Sequence, residues 1–271
     1  MKLCMLGSGS GGNAVLLQSG ETRILIDAGF GPRVMSKRMK RISVDPRSIE
    51  AVVVTHEHID HARGAVAGAR KWGWTIHATA GTKGAWLPLS ESDAQIMTAG
   101  ATFSIGEIDI LTVNTSHDAT EPVAVIATGR SSGVRAAIVY DLGVMTESVR
   151  HALVGVDILV IESNHDPAML RNGPYPASLK RRIASREGHL SNRAAGIAAA
   201  ECAHRGMSHV VLAHLSETNN TPQTATESMR DALRKTSFKG SIVACSQDRP
   251  SPTISADRHA AFGAVQLSLS L

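Results

Sequence analysis

The sequence has few aromatic residues, few cysteines and no long hydrophobic run. Phe, Trp and Tyr make up 3% of the 271 residues, so the core must be filled by Val, Ile, Leu, Ala and Met. The apolar stretch after Lys2 is too short for a signal-peptide core or a membrane span. We therefore expect a cytoplasmic protein that makes no contact with a membrane.

The cysteines are too few and too scattered to organise the structure. Cys4, Cys202 and Cys245 are an odd set at wide, irregular spacing, which argues against a disulfide framework. The same spacing argues against a cluster of thiolate metal ligands. We expect ordinary thiols in the core or on the surface.

The chain also lacks a Pro/Ser-rich or single-sign linker that would divide it. Hydrophobic residues make up 43% and charged residues 19%, the balance of a globular protein. We predict one domain over residues 1–271. The net charge of +4 permits a polyanionic partner without requiring one. Two basic clusters, in residues 37–41 and 180–182, could follow a phosphate backbone or could be solvated helix faces.

Short β-rich runs alternate with helix-like segments along the chain. KLCML, AVLLQ, TRILID and AVVVT form a first series of strands, and EIDILTV, PVAVIAT, VRAAIVYD and VDILVIES form a second. Later helices are expected over residues 179–186 and 192–205. Two half-domains of strands followed by helices predict two sheets packed face to face, with the helices outside.

Polar residues stand at the ends of five strand-like runs, of which the last is SHVVLAH. A residue at the end of a strand projects from a rigid scaffold into a loop, where catalytic groups are commonly held. Five such endings with similar chemistry indicate a single converging site. The residues are Asp27, His56, His117, Asp141 and His214.

The strongest motif is THEHIDH, at residues 55–61. His56 and His58, two residues apart, can grip one ion, while Asp60 and His61 can reach a second. Imidazole and carboxylate ligands suit zinc, and manganese is also compatible with them. Two neighbouring ions can share a hydroxide and stabilise both the attacking and the leaving oxygen of a displacement.

This motif, followed by His117, Asp141 and His214 and preceded by LIDAG, resembles the ordered ligand set of the metallo-β-lactamase superfamily. The resemblance spans nearly the whole chain. It implies an αββα sandwich, of the α/β (α+β) class, with two divalent metal ions, zinc or manganese. It assigns one ion to His56, His58 and His117, the other to Asp60, His61 and His214, and a bridging position to Asp141.

Five further segments resemble the YycJ/WalJ-like group of bacterial exonucleases: GSGSGGN, SHDATEP, IESNHD, GHLSN and AHLSETNN. This resemblance implies a nucleic acid substrate, expected to be DNA digested from 5′ to 3′ by a metal-bridging hydroxide that Asp60 positions. GHLS and AHLS are also similar to motifs of ribonuclease Z, which implies that His189 assists the leaving oxygen. The expected substrate-binding residues are Ser8, Ser10, Asn13, Ser163, Asn164, His165, Ser191 and Asn192.

Several alternative interpretations remain at this point. The glycines of residues 7–12 could form a simple turn, and the segment of His189 could cap the alanine-rich helix that follows it. The same ligand set would serve a hydrolase of a thioester or a lactone. A ribonuclease Z-like RNA-processing enzyme is less expected, because no long Gly/Pro-rich arm is present. The complete ligand set disfavours a non-catalytic binding protein. The sequence gives no indication of oligomeric state.

Overall fold

The computed structural model describes residues 1–258, so the end of the predicted domain, residues 259–271, lies outside the described residues. Fourteen strands occur within residues 1–258. In chain order they are β1 (Lys2–Gly7), β2 (Ala14–Ser19), β3 (Thr22–Ile26), β4 (Ala51–Val53), β5 (Thr75–Ala78), β6 (Gln95–Ile96), β7 (Thr102–Ile105), β8 (Ile108–Asn114), β9 (Val123–Gly129), β10 (Arg135–Val139), β11 (Ile158–Glu162), β12 (His209–Ala213), β13 (Ser241–Ala244) and β14 (Ile254–Ser255).

These strands form two mixed seven-stranded sheets. The first has the order β14-β1-β2-β3-β4-β5-β6, and the second has the order β13-β12-β11-β10-β9-β8-β7. The helices of residues 1–258 are α1 (Pro32–Arg41), α2 (Ile59–Ala62), α3 (Ala65–Trp72), α4 (Ala80–Ala85), α5 (Leu87–Ser90), α6 (Glu147–Ala152), α7 (Pro167–Asn172), α8 (Ala177–Ile183), α9 (Asn192–Cys202) and α10 (Pro222–Leu233).

Three apolar layers hold the sheets and helices together. The central layer joins the two sheets and contains Ile26 of the first and Ile138 of the second. Met39 of α1 packs on the outer face of the first sheet. Ala199 of α9 and Met229 of α10 pack on the outer face of the second. The predicted αββα sandwich is therefore confirmed.

Strands from both sheets have their carboxyl ends at the same edge of the sandwich. In the first sheet β3 and β4 are parallel. In the second, β10, β11 and β12 are parallel, and β8 runs in their direction because β9 is antiparallel to both β8 and β10. The loops that follow β3, β4, β8, β10, β11 and β12 therefore meet. We call this the site edge.

Two helix boundaries differ from the expected ones. The helix expected over residues 179–186 spans Ala177–Ile183 instead. It ends early because the chain turns back, so that the backbone N–H of His189 donates to the carbonyl of Ile183 at 2.9 Å. The helix expected over residues 192–205 ends at Cys202. Among the described residues no helix is long and apolar enough to cross a membrane.

The central layer generates a stability prediction. Ile138 is fully buried between the sheets, so Ile138→Ala should lower the free energy of unfolding by about 2–5 kcal/mol through lost burial and a residual cavity. Urea unfolding in a chelating buffer measures this without a contribution from bound metal. Val34→Ala is the control, because Val34 is 42% exposed. Equal losses in the two variants would contradict the assigned layer.

Candidate metal centre

The site edge brings all seven predicted metal ligands into one cluster. Three groups offer ligand atoms within 4.8 Å of one another: His56, His58 and His117; Asp60, His61 and His214; and His56, His61 and Asp141. The first two groups are the two ligand sets named from the sequence, and Asp141 shares a group with one histidine from each. A fourth group consists of Asp141, Glu162, His189 and His214.

Four of the histidines present the same nitrogen to the cluster, because a hydrogen bond occupies the other one. Nδ1 of His61 lies 2.6 Å from Asp27 Oδ2, and Nδ1 of His214 lies 3.0 Å from Glu162 Oε1. Nδ1 of His117 lies 3.2 Å from the carbonyl of Gly188. A proton on Nδ1 leaves a lone pair on Nε2, the form that binds a metal ion.

His56 is oriented through a chain of two hydroxyl contacts. Its Nδ1 lies 3.0 Å from Thr55 Oγ1, and this hydroxyl donates to Asp27 Oδ2 at 2.8 Å. Because the hydroxyl proton goes to Asp27, the oxygen accepts from His56 Nδ1. The hydroxyl of Tyr140 also donates to Asp27, at 2.7 Å. Asp27 therefore fixes two ligand rings although it lies outside the ligand groups.

Glu162, in the second sheet, is a buried carboxylate that orients imidazole rings as Asp27 does. This fully buried residue ends β11. Its Oε1 lies 2.7 Å from His189 Nδ1 and 3.0 Å from His214 Nδ1. Its Oε2 accepts from the backbone N–H groups of Leu142 and Leu190 at 3.1 and 3.0 Å. One carboxylate thus ties together the loops that carry Asp141, His189 and His214.

The backbone at the site edge is strained. Four non-glycine residues in the described chain have a left-handed φ, and three of them are Asp27, Asp141 and His214, with φ of 61°, 54° and 53°. This conformation is unfavourable for a residue with a Cβ and persists where the surrounding contacts impose it. Asp27 and His214 directly follow a strand of the sandwich, and Asp141 is the second residue after β10. The sharp turn directs each side chain across the edge instead of onward along the strand.

Buried polar atoms that lack a hydrogen-bond partner indicate whether a cation would fit this cluster. His56 Nε2, His214 Nε2 and Asp141 Oδ2 are buried without an aligned hydrogen bond in the described part of the chain. Asp141 Oδ2 instead lies 2.8 Å from His61 Nε2, the nitrogen that would bind a metal ion while Nδ1 contacts Asp27. Buried polar groups are normally paired. Imidazole nitrogens and carboxylate oxygens are metal ligands, so the cluster is able to bind metal.

Burial and charge hold His56 and Asp141 in the protonation states that bind metal. Burial, reinforced by the neighbouring His61, holds the pKa of His56 well below its usual value, so the ring stays neutral. Burial opposes ionisation of Asp141, but His214 and His61 outweigh it and hold the pKa of Asp141 well below its usual range. Neutral imidazole and ionised carboxylate are the metal-binding forms.

The predicted substrate-binding residues near β1 lie behind the ligands. Asn13 is fully buried, with Nδ2 2.9 Å from His61 Nε2 and 3.3 Å from Asp60 Oδ2. The Ser8 hydroxyl donates to Asn13 Oδ1 at 2.9 Å and accepts from the backbone N–H of His214 at 2.7 Å. Ser10 is exposed in the turn. Substrate contact by these residues stays a prediction.

The predicted residues after β11 include a buried polar network. The hydroxyl of Ser163 donates to Asn192 Oδ1 at 2.6 Å, and Asn192 Nδ2 donates to Asn220 Oδ1 at 2.9 Å. Asn164 Nδ2 donates to the carbonyl of His214 at 3.0 Å. Their bonds position the strand-end loops, and binding of substrate by Ser163, Asn164 and Asn192 stays a prediction.

The sequence left helix capping and catalysis as alternative roles for the segment around His189, and in the structure different residues of the segment are placed for the two roles. Ser191 caps α9, because its hydroxyl accepts from the N–H of Ala194 at 3.2 Å. His189 instead directs Nδ1 at Glu162, and its side chain is 22% exposed at the site. His165 forms a backbone bridge with Ser191 and is buried, with 4% of its surface exposed.

The sequence analysis missed two contributors to this site. Glu162 ends β11 and Tyr140 directly follows β10, so both lie at strand ends close to the ligands. That position was the available signal, and Glu162 stands inside the quoted segment IESNHD. Asp27 was noted as part of LIDAG, but its bonds to Thr55 and His61 join positions 28 and 34 residues away, which the sequence pattern did not indicate.

The sandwich carries at one edge a His/Asp cluster that is able to bind metal. Residues 7–157 match the model of the metallo-beta-lactamase superfamily. The chain therefore belongs to this superfamily.

The relatives within the superfamily include two bacterial nucleases. Exodeoxyribonuclease YycJ of Bacillus anthracis is 32% identical over 86% of this chain and 89% of its own. Exodeoxyribonuclease WalJ of Streptococcus pneumoniae is 31% identical over 86% of this chain and 88% of its own. These relatives confirm the resemblance drawn from the motifs. The fold is similar to the crystal structure of YhfI from Bacillus subtilis, with a TM-score of 0.70 at 18% identity over 92% and 98% of the two chains.

The contacts of Asp27 generate a prediction about metal affinity. Asp27→Asn should weaken metal binding by about 10–100-fold, because groups that orient a ligand imidazole are commonly worth that much. Competition with a chromophoric zinc chelator measures the affinity. Asp231→Asn, on the exposed face of α10, should bind zinc like the unchanged protein. Unchanged affinity in Asp27→Asn would show that the ligand rings keep their orientation without this carboxylate.

Proposed function

We propose that this protein is a dinuclear metal-dependent phosphodiesterase, acting as a DNA exonuclease from 5′ to 3′. One observation carries the proposal: His189, backed by Glu162, lies at the edge of the ligand cluster, with ring centroids 5.3 Å from His117 and 5.1 Å from His214. A proton donor beside a metal centre suits the cleavage of a bond with a poor leaving group. DNA as the substrate is supported by the two exodeoxyribonuclease relatives.

We further propose that two zinc or manganese ions occupy the two ligand groups, with Asp141 between them. Ions held there would lower the pKa of a bound water and neutralise charge on the phosphoryl oxygens. His56, His58 and His117 would hold one ion, and Asp60, His61 and His214 the other. These residues fit the role by their grouping and by the unpaired atoms that they direct inward.

Within this proposal Asp60 orients the attacking water. Its side chain is 18% exposed, so it stands at the opening of the site while Asp141, with 3% exposed, lies beneath. Asn13 fixes Asp60 through a 3.3 Å contact to Oδ2. A carboxylate held in this way can accept a hydrogen bond from water and set its direction toward phosphorus.

His189 delivers the proton to the leaving oxygen. Burial lowers the pKa of His189, but the charges of Glu162 and Asp141 outweigh burial and raise the pKa to about 11. Nδ1 is bound to Glu162, so Nε2 is the nitrogen free to face the substrate. As Nε2 gives up its proton, the leaving alkoxide becomes a hydroxyl, and Glu162 keeps the ring in place.

A DNA-degradation assay tests the proposed function. Protein stripped of metal and reloaded with zinc or manganese is given oligonucleotides labelled at the 5′ or the 3′ end, beside a thioester and a lactone. We expect nucleotides to be released from the 5′ end, about two ions per chain by elemental analysis, and no activity in Asp60→Ala. Turnover of the thioester or the lactone without cleavage of DNA would instead assign a small-molecule hydrolase. A cytoplasmic location stays a prediction.

The role of His189 generates a separate prediction. His189→Ala should retain its metal ions and lose about 10²–10⁴-fold of its turnover on DNA, the usual contribution of a positioned acid. A nitrophenyl phosphodiester needs little protonation of its leaving group, so its turnover should fall much less. His151→Ala, an exposed position in α6, serves as the control. Equal losses on both substrates with a lowered Tm would assign His189 a structural role.

A further inference from the structure

A basic segment leads into the loop of His189 at the site edge. Residues 171–187 contain five cationic side chains and one acidic side chain, Glu187. The segment includes α8 and connects β11, which ends in Glu162, with the loop of His189. The elements on both sides of this segment therefore reach the site edge. The cationic residues are Arg171, Lys180, Arg181, Arg182 and Arg186.

Three contacts fix this segment against the loop that carries His117. Arg182 donates to Asp118 Oδ2, with Nε at 2.7 Å and Nη2 at 2.6 Å. The hydroxyl of Ser116 donates to the carbonyl of Arg186 at 2.8 Å, and the N–H of Asp118 donates to the carbonyl of Glu187 at 3.1 Å. The basic residues therefore occupy a defined position relative to the ligand cluster.

A cleft of about 310 Å³ opens beside α7 and α8. Its lining is mostly apolar and includes Pro167, Leu170 and Ala184, while the exposed side chains of Arg171 and Arg181 lie at its rim. His165 also lines it and is bridged to Ser191, two residues after His189. The cleft thus combines an apolar surface with cations, close along the chain to the proposed proton donor.

We propose that this cleft, called here the α8 cleft, holds a nucleotide of the DNA strand adjacent to the scissile phosphate. The base would rest with its face against the apolar lining, and because every base has such a face this contact would be tolerant of sequence. The backbone phosphate would lie against Arg171 and Arg181, whose guanidinium groups bind phosphate oxygens through several N–H groups. The inference rests on the proposed function and adds to it a binding site outside the metal centre.

The position of this segment distinguishes it from the other basic cluster of the sequence. Lys37 and Lys40 are equally exposed on α1. That helix starts after β3 at the site edge and ends near Ile42 and Val44, which line a depression together with Lys2 at the start of β1. Since β1 carries its Gly7 end to the site, the basic end of α1 lies at the opposite edge. It provides a matched control.

The test compares two charge reversals of equal size. Arg171→Glu/Arg181→Glu should raise KM for a single-stranded oligonucleotide at least tenfold, and the slope of log(kcat/KM) against log salt should shrink by about 0.7, the value for one lost phosphate contact on a single strand. Turnover of a nitrophenyl phosphodiester, which has no second nucleotide to reach the cleft, should not change. Lys37→Glu/Lys40→Glu should match the unchanged protein in every measurement.

A second variant tests the apolar lining without altering charge. Ala184→Leu narrows the α8 cleft and should lower kcat/KM on the oligonucleotide several-fold while leaving the nitrophenyl substrate unaffected. If the unchanged protein degrades DNA and the Arg171/Arg181 and Lys37/Lys40 variants behave alike, the α8 cleft is wrong and the proposed function stands. If the unchanged protein cleaves the nitrophenyl phosphodiester but not DNA, the proposed function fails and this inference fails with it.

Discussion

The close packing of imidazole rings and carboxylates at one sheet edge is the constraint on which the rest of this structure depends. His56 and His61 have ring centroids 4.1 Å apart, and Asp141 lies 2.8 Å from His61 Nε2. Lone pairs directed at one another in a buried space repel unless positive charge lies among them. Burial lowers the pKa of His61, but Asp141 and Asp27 outweigh burial and hold this pKa well above its usual value, so a proton supplies part of that charge when no metal is bound. A bound cation would take the proton's place, and it would stabilise the native chain by as much as it prefers the native chain to the unfolded one.

Two buried carboxylates maintain this arrangement from behind. Asp27 lies in the half of the site built on the first sheet, and Glu162 lies in the half built on the second. Each accepts several hydrogen bonds, so its buried oxygens are paired. Because Tyr140 follows a strand of the second sheet and donates to Asp27, the two halves are also joined directly. If either carboxylate were lost, the imidazole rings bound to it would lose both their fixed orientation and part of their basicity, because the hydrogen-bond partner of a ligand imidazole sets both properties.

The sequence indicated the ligands but not the groups that hold them, and the reason is physical. His56, His58, Asp60 and His61 fall within six residues, so their local spacing alone reveals a shared site. The αββα arrangement followed from strand runs and their polar endings. The bonds of Glu162 to His189 and His214 span 27 and 52 residues, and such pairings depend on strand register. The same limitation applies to Ser163 and Asn192, whose hydrogen bond to each other is visible only once β11 and α9 are placed.

The distribution of basic residues bears on why the metal centre would act on a polymer. An open cluster of ions with a nearby proton donor would be sufficient to hydrolyse a small ester. That reaction requires no positively charged side chains outside the metal centre. A polyanionic strand must be held on both sides of the bond that breaks, and each phosphate contact adds affinity that falls with salt. Residues 171–187 concentrate positive charge beside the loop of His117, fixed there by Asp118 and Ser116. The net charge of +4 is small. A nucleic acid substrate is therefore favoured over a small ester by the position of these basic residues beside His117 and His189, and not by the net charge of the chain.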